Sequence, residues 1–243
     1  MQEYTHALNT VLIKIYDNTI DIKPMFTRQA ITIGISGPSC SGKSALANTL
    51  HSLLGHPQSS ILRLDDFYLP DSQIPFISVS ANVQDWDCID SLNWTEFINA
   101  LKARKGKVDF KVFKVTDAGT KDLNVMRDSL PHDQSWLIVD GFLLFHDQTL
   151  LPSFDLRFFV QTPKETLKTR RSQRVYPSDM GPWADPPEYF DNVVWERHLE
   201  YHSPLYHEKD GFKKNGIIVL DGTRSIVDLL KEILQEMLRY TRG

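Results

Sequence analysis

An octapeptide near the start of the chain places the strongest constraint on its fold. Residues 37–44 are GPSCSGKS and match the pattern G-x-x-x-x-G-K-[S/T] in full. An apolar, strand-like run precedes this octapeptide at residues 31–36, and a helical pattern follows at 43–54. Glycines let the backbone wrap around phosphate oxygens, so that N–H groups and the helix N-terminus face the anion. The octapeptide therefore predicts a phosphate-binding loop; the alternative is a glycine turn that only joins a strand to a helix.

The pattern also assigns chemistry to single residues of this loop. Lys43 is expected to reach the β- and γ-phosphates of a nucleotide, and the Ser44 hydroxyl is expected to ligate Mg²⁺. ATP and Mg²⁺ are thus the implied ligands. The predicted phosphate-contacting set is Gly37, Ser39, Ser41, Gly42, Lys43, Ser44 and Ala45.

Short apolar runs alternate with helical patterns along the rest of the chain. Strands are predicted at 31–36, 60–64, 136–140, 156–160 and 217–220, and helices at 43–54, 93–104, 164–172, 187–201 and 226–240. Such alternation is typical of a parallel sheet covered by helices on both faces. We predict an α/β fold of the P-loop NTPase type, a parallel sheet sandwiched by helices with a lid segment. Ligands of these sheets bind beyond the carboxyl ends of the strands.

Composition narrows the class of partner. The chain has 243 residues, enough for one α/β domain, and a formal net charge of −4, which argues against nucleic acid or a membrane surface as partner. No apolar run approaches the roughly 18 residues that span a bilayer. Cys40 and Cys88 give neither a disulfide framework nor metal-ligand spacing, so a cytoplasmic setting is expected.

Three segments depart from the alternating pattern. Residues 1–24 have a modest apolar pattern at 11–15, and we expect an N-terminal extension that forms a strand, a helix or a frayed tail outside a domain at 25–243. Residues 105–134 are polar and weakly periodic, as in an insertion at the rim of the domain. Residues 176–187 contain four prolines, which predicts an irregular loop within a lid at about 168–187.

Carboxylates follow two of the predicted strands. Asp65 and Asp66 come after residue 64 and are close to the phosphate loop if the two strands are neighbours. Because successive side chains leave an extended segment on opposite sides, one of them can orient a hydroxyl while the other supports the turn. Asp140 ends the run at 136–140, where a carboxylate can hold Mg²⁺ or its water; a helix N-cap is the alternative. Asp87 lies outside any clear element and could accept hydrogen bonds from sugar hydroxyls.

A cluster of positive charge interrupts this acidic chain. Lys168, Arg170, Arg171 and Arg174 precede the proline-rich loop, as expected for a lid that closes over a nucleotide rather than a solvated helix face. Trp86 and Tyr176 flank these polar groups in sequence and could enclose a flat, cationic ring.

Taken together, these motifs resemble those of the nicotinamide riboside kinases, and those of the fungal branch in particular. The shared motifs, which cover the chain from about residue 31 to 240, are ISG at 35–37, SGKS at 41–44, DDFY at 65–68, WD at 86–87, VDGF at 139–142, RRS at 170–172, RVY at 174–176, DPPEYFD at 185–191 and LDGT at 220–223. The resemblance implies ATP-dependent phosphorylation of the 5′-hydroxyl of nicotinamide riboside, and also of nicotinic acid riboside, for NAD synthesis.

The resemblance also implies roles for individual residues. Asp65 would accept the proton and contact Mg²⁺, and Asp87 and Arg171 would bind the ribose. The remaining substrate-side residues implied are Asp66, Phe67, Tyr68, Trp86, Asp140 and Tyr176, with Trp86 and Tyr176 enclosing the nicotinamide ring. The remaining ATP-side residues implied are Arg170, Arg174, Asp221, Gly222 and Thr223.

Some features differ from the human-type members. Those have tyrosine at the Trp86 position and glutamate at the Asp140 position, so the shorter Asp140 is expected to reach Mg²⁺ through water. Two other functions stay open: a uridine/cytidine-type or other small-alcohol kinase, and a nucleotide-binding switch that needs no acceptor. A site built around sugar hydroxyls discriminates poorly among flat bases, so the sequence indicates a nucleoside more firmly than it indicates the base.

The compact family members begin at a point close to Met25. We therefore expect a truncated protein that begins at Met25 to fold and to retain its activity. Circular dichroism and the rate of ADP formation, each compared with the full chain, check this. A truncated protein that loses either property would show that residues 1–24 belong to the domain.

Overall fold

The computed structural model describes residues 4–8, 11–16, 19–24, 29–55, 58–78, 83–105, 120–175, 184–207 and 210–243. Ten strands lie in this part of the chain: β1 Tyr4–Leu8, β2 Val11–Tyr16, β3 Thr19–Pro24, β4 Ile31–Ser36, β5 Ser59–Arg63, β6 Phe76–Ser78, β7 Val83–Gln84, β8 Trp136–Asp140, β9 Leu156–Gln161 and β10 Ile217–Asp221. Its seven α-helices are α1 Lys43–Leu54, α2 Trp94–Lys105, α3 Lys121–Asp128, α4 Lys164–Arg171, α5 Trp195–His207, α6 Gly211–Lys214 and α7 Ile226–Arg242. A π-helical turn, Phe190–Val194, leads into α5.

A five-stranded parallel sheet forms the centre of the domain. Its strand order is β10-β9-β4-β8-β5, and all four pairings between neighbours are parallel. Because the strands are parallel, their carboxyl ends lie along one edge of the sheet. The strand β8 has all five residues buried, as expected for a strand covered on both faces.

Helices cover both faces of this sheet. Alternating strand residues point to opposite faces, so Ile33 and Ile35 pack with α1, α3 and α7, whereas Leu137 and Val139 pack with α2 and α5 on the other face. The predicted fold class is therefore confirmed.

Helix α7 shows why the sequence forms this layer. Its buried side chains recur at helical spacing, and they are Leu229, Leu230, Ile233, Leu234 and Met237. The Ser225 hydroxyl accepts a hydrogen bond from the Asp228 N–H at 3.2 Å and caps the first turn. Cap and apolar stripe together fix where the helix begins and which face it buries.

Most predicted elements of the central domain agree closely with the structure. The helix predicted at 187–201 instead consists of the π-helical turn and α5, and ends at His207. Three further expectations need correction. Residues 121–128, placed in a rim insertion, form α3, whose Leu123 is buried in the core shared with α1 and α7. Residues 64–67, expected to be extended, form a 3₁₀ turn, so the argument that Asp65 and Asp66 leave opposite sides of a strand is wrong. The strand before them neighbours β8 and not β4.

Two further β units lie outside the central sheet. Strands β1, β2 and β3 form an antiparallel meander, which confirms the strand alternative for the N-terminal segment. Strands β6 and β7 form a short antiparallel pair. Most of the 176–187 loop and residues 106–119 of the predicted insertion lie outside the described residues.

Two histidines are buried on α5 beneath the sheet. The His202 Nδ1 atom lies 3.0 Å from the carbonyl oxygen of His198 and therefore carries the proton, since a carbonyl only accepts. Burial lowers the pKa of His202 to about 4. Burial, together with the neighbouring His202 and Lys43, lowers the pKa of His198 further still. Both rings are neutral in the folded protein at neutral pH.

This pair makes the stability depend on pH. The unfolded chain binds protons with the ordinary histidine pKa of about 6.5, whereas the folded chain does not until the pH approaches 4. We expect the free energy of unfolding to fall as the pH is lowered from about 6.5, by up to about 1.4 kcal/mol per pH unit for each histidine. Urea unfolding at several pH values checks this, with His202→Gln as the comparison. A variant with the same pH slope as the wild type would contradict it.

Candidate functional site

The carboxyl edge of the sheet brings the sequence motifs together. The phosphate loop follows β4, Asp140 ends β8, and the turn that carries Asp65 follows β5. The 221–223 turn follows the end strand β10 on the opposite side of the loop. Asp140, the turn that carries Asp65 and the 221–223 turn therefore lie on either side of the phosphate loop, from which α1 starts.

The phosphate loop has the backbone shape that an anion site requires. Gly37 has φ 144°, and a Cβ atom there would lie 2.5 Å from the Val160 carbonyl oxygen, so only glycine fits. Gly42 has φ 97° at the N-cap of α1, where no side chain caps the helix. The first N–H groups of α1 are therefore available to a phosphate group, and the helix dipole favours negative charge there.

Lys43 and Ser44 begin the helix beside an open pocket. The Lys43 ammonium is buried and donates to the Pro38 carbonyl oxygen at 3.5 Å. The pocket has a volume of about 220 Å³, and its lining residues are Cys40, Gly42, Lys43, Ser44, Ala45, Arg170 and Arg174. A cationic pocket of this kind, at a helix N-terminus, suits phosphates.

Asp140 links the phosphate loop to the acidic turn. Burial raises the pKa of Asp140, and Lys43 and a hydrogen bond from Ser44 oppose that shift. The Oδ1 atom of Asp140 is buried and has no hydrogen-bond partner. Asp65 is close enough to act on the Asp140 pKa by charge repulsion. Because Asp140 ends a strand and a turn follows it, the helix N-cap alternative is excluded.

These residues fit an Mg²⁺ ion that arrives with a nucleotide. Among the described residues, no three His, Cys, Asp or Glu side chains cluster in a way that could hold a metal ion. Mg²⁺ at nucleotides takes one or two protein ligands and fills its other positions with phosphate oxygens and water. The Ser44 hydroxyl and the unpartnered Asp140 oxygen are of that kind.

Arg170 and Arg174 both line the pocket beside the phosphate loop. Arg170 donates to the carbonyl oxygens of Cys40 and Ser41, at 3.4 and 3.3 Å, and to that of Gly222 at 3.3 Å. It thereby ties α4 to the phosphate loop and to the 221–223 turn. Arg174 places Nη1 3.5 Å from the Cys40 sulfur and lines the same pocket.

The 221–223 turn is shaped by its own side chains. The Asp221 carboxylate accepts from the Thr223 N–H at 3.0 Å and from the Thr223 hydroxyl at 2.6 Å. A Cβ atom on Gly222 would lie 2.1 Å from the Thr162 hydroxyl oxygen, so the turn packs closely against the end of β9. The structure thus places these three predicted residues next to Arg170.

Arg171 points the other way and is buried among acceptors. Its guanidinium forms an ion pair with Asp87 at 3.2 Å and a second with Asp185 at 2.6 Å. It also donates to the Ser39 hydroxyl of the phosphate loop at 2.9 Å. Burial raises the pKa of Asp87, while the Arg171 charge opposes the shift. Arg171 therefore connects the phosphate loop to the segment that carries Asp87.

Aromatic side chains line the neighbouring segment. The Trp86 and Tyr68 rings meet edge to face at 5.7 Å, and Tyr68 stacks on Phe142 at 6.2 Å. Burial, followed by the charges of Asp65 and Asp87, raises the pKa of Tyr68. Tyr68 therefore lies close enough to feel the charges of both predicted carboxylates. Its neighbour Phe67 packs against α2 through Phe97, while Asp66 is exposed beside Asp65. Tyr176 lies outside the described residues.

The sequence predictions omit two residues that the structure places in this site. Asp185 pairs with Arg171, and Tyr189 contacts Arg171 and the Trp86 backbone. Both belong to the DPPEYFD motif at 185–191, which has no assigned role in the sequence analysis. The available signal is the DPPEYFD motif itself, because the pairing of Asp185 with Arg171, 14 residues earlier, leaves no local pattern in the sequence.

No helix in the described part of the chain has both the length and the apolar character to cross a membrane.

Comparison with known proteins places the chain in a family. No family model matches it. The nicotinamide riboside kinase of Schizosaccharomyces pombe is 35% identical over 201 residues, which cover 76% of this chain and 84% of that protein. The enzyme of the same name from Saccharomyces cerevisiae is 33% identical, with coverages of 76% and 83%. Human nicotinamide riboside kinase 1 is 29% identical, with coverages of 85% and 92%.

Among solved structures, a possible uridine kinase from Bacillus stearothermophilus superposes with a TM-score of 0.47 and 16% identity, covering 81% of this chain and 91% of that one. A likeness this distant carries no weight in assigning function. The curated relatives do carry weight, because the identity extends over most of both chains. The chain belongs to the nicotinamide riboside kinase family.

Proposed function

We propose that this protein transfers the γ-phosphoryl group of ATP to the 5′-hydroxyl of nicotinamide riboside, and also of nicotinic acid riboside. The product would be the mononucleotide, which feeds NAD synthesis. The names of its relatives in fungi and mammals support the substrate. The phosphate loop and its Lys43–Ser44 pair support ATP and Mg²⁺ as co-substrate and cofactor.

One observation supports the proposal most. Arg171 donates to Ser39 of the phosphate loop and pairs with Asp87 of the proposed ribose site. A kinase has to bring an alcohol to the end of a triphosphate, so its two sites must adjoin. A protein that only binds or hydrolyses ATP needs no acceptor site, so the buried Arg–Asp pair beside the phosphate loop favours a kinase.

The ATP side works by charge and by backbone geometry. The N–H groups at the start of α1 would hold the phosphates, and Lys43 would neutralise charge on the transferred group. Arg170 and Arg174 would add positive charge from the lid side. Ser44 would ligate Mg²⁺, with Asp140 holding it directly or through water; bound Mg²⁺ supplies further charge neutralisation on the phosphates.

On the acceptor side we assign the proton transfer to Asp65. The 5′-oxygen forms a bond to the γ-phosphorus, the bond from that phosphorus to the bridging oxygen of ADP breaks, and the hydroxyl proton passes to Asp65. Asp65 is exposed at the carboxyl edge, where an acceptor can reach it. Asp87 and Arg171 would bind the ribose hydroxyls, and Trp86 and Tyr176 would enclose the ring.

The domain bounds and the location of the protein are further parts of this proposal. We assign the kinase domain to residues 25–243 with a lid at about 168–187, and residues 1–24 to an extension. A net charge of −4 supports a small-molecule acceptor rather than nucleic acid or a membrane, and two cysteines that form no disulfide support a cytoplasmic location.

The proposed substrate can be tested with a panel of acceptors. We expect ADP formation from ATP and Mg²⁺ to depend on added nicotinamide riboside or nicotinic acid riboside, with much lower kcat/KM for uridine and cytidine. Higher kcat/KM for uridine or cytidine would favour a pyrimidine nucleoside kinase. ADP formation that no nucleoside changes would favour a nucleotide-binding switch.

The proposed base can be tested by one substitution. We expect Asp65→Asn to lower turnover roughly 10²–10⁴-fold, since a positioned acid–base group contributes about that much. Asp128→Asn, at an exposed aspartate of α3, is the matched control and should leave turnover unchanged. Near-normal turnover of Asp65→Asn would move the role to Asp66 or Asp140.

A further inference from the structure

Residues 84–89, the acceptor loop, carry Trp86 and Asp87 but contain no helix or strand beyond the end of β7 and the start of a 3₁₀ turn. Side chains from elsewhere hold this loop. The Tyr68 hydroxyl donates to the Trp86 carbonyl oxygen at 3.0 Å. Arg197 of α5 forms an ion pair with Asp85 at 2.8 Å. The position of the proposed ribose and ring contacts therefore depends on tertiary contacts.

The hydroxyl of Tyr189 makes the closest of these contacts to the loop backbone. It donates to the Gln84 carbonyl oxygen at 2.9 Å and accepts from the Trp86 N–H at 3.1 Å. A phenol has one proton to donate, so this oxygen is used in both directions. The two backbone groups flank Asp85, and the hydroxyl thus fixes the chain on both sides of that residue.

The ring of Tyr189 contacts the other half of the acceptor site. The Arg171 guanidinium carbon lies 5.7 Å from the ring centroid, a distance at which a cation and an aromatic ring attract. Arg171 in turn pairs with Asp87. Tyr189 is 2% exposed, and burial raises its pKa, so the hydroxyl keeps its proton across the physiological range.

We propose that Tyr189 is a positioning residue for the acceptor, because it holds the Trp86 backbone at a fixed position relative to the Arg171–Asp87 pair. This proposal rests on the proposed function and deepens it. Tyr189 itself touches neither ATP nor the reacting atoms in the mechanism above. Its loss should therefore act on acceptor binding more strongly than on ATP binding.

Tyr189→Phe tests the proposal, because it removes the hydroxyl and keeps the ring over Arg171. The Gln84 carbonyl and the Trp86 N–H then lose a buried partner, which we expect to raise the KM for nicotinamide riboside about 5- to 30-fold. The KM for ATP should change less than about twofold. Tyr189→Leu, which also removes the ring from Arg171, should raise the riboside KM further.

Tyr206→Phe is the matched control. It removes a hydroxyl that lies 3.1 Å from the His198 Nε2 atom on the same helix, α5, and that makes no contact with the acceptor loop in the described hydrogen bonds. Thermal unfolding of all variants separates stability from binding. We expect Tyr206→Phe to lower the melting temperature without raising the riboside KM.

The outcomes separate this proposal from the proposed function. Wild-type protein that phosphorylates no riboside contradicts the function, and the positioning role with it. Wild-type protein that is active, with Tyr189→Phe showing an unchanged riboside KM or a proportional rise in both KM values, contradicts the positioning role alone. A riboside-specific rise shared by Tyr206→Phe would also overturn it, since the effect would then be a general one of buried hydroxyls.

Discussion

A buried guanidinium holds the two halves of the site together. Arg171 is 6% exposed, and a cation removed from water is tolerated only when acceptors surround it. Asp87, Asp185 and the Ser39 hydroxyl are those acceptors. Removing one partner of a buried pair typically costs about 3–5 kcal/mol, because the other charge stays buried. This requirement keeps the phosphate loop, the acceptor loop and the segment after 183 in contact in the folded chain.

The parallel sheet brings distant segments of the chain together at this site. Side chains from distant parts of the chain converge because all five strands end at one edge, and β8 carries Asp140 between the phosphate loop and the turn with Asp65. The order matters: β5 is separated from β4 by β8, so Asp65 reaches the phosphate loop only across Asp140. In agreement with this arrangement, charge repulsion from Asp65 contributes to the raised pKa of Asp140. A cation bound between these carboxylates and the phosphates would relieve it.

The sequence predicts the sheet and the phosphate loop well for a physical reason. Buried parallel strands are continuous apolar runs, and Trp136–Asp140 has the same bounds in the sequence analysis and in the structure. The sequence analysis does not predict helix α3, because only one of its side chains, Leu123, is buried. Its exposed Val125 also weakens the helical periodicity of apolar residues. The 3₁₀ turn at 64–67 is also not predicted, because alternation along a strand cannot be told from a tight turn over four residues.

The residues of the site also fall into two groups, those that local sequence spacing predicts and those that it does not. The predictions for Gly42, Lys43 and Ser44 follow from local spacing, since the backbone shape of the phosphate loop arises within eight residues. Asp185 and Tyr189 do not, because their contacts join residues 14 and 103 positions apart. Only the folded chain determines such partners. Sequence spacing therefore identifies the phosphate site, and tertiary contacts complete the proposed acceptor site.

Those tertiary contacts come from both sides of residues 176–183. Arg171 precedes this stretch, whereas Asp185 and Tyr189 follow it. Arg171 and Tyr189 contact the acceptor loop, and Asp185 pairs with Arg171. Arg170, one residue before Arg171, instead binds the phosphate loop and Gly222. Adjacent arginines at the end of α4 thus serve opposite halves of the site, because successive helical residues point about 100° apart. Because both arginines lie on α4, a shift of this helix would change the contacts with the phosphate loop and those with the acceptor loop together.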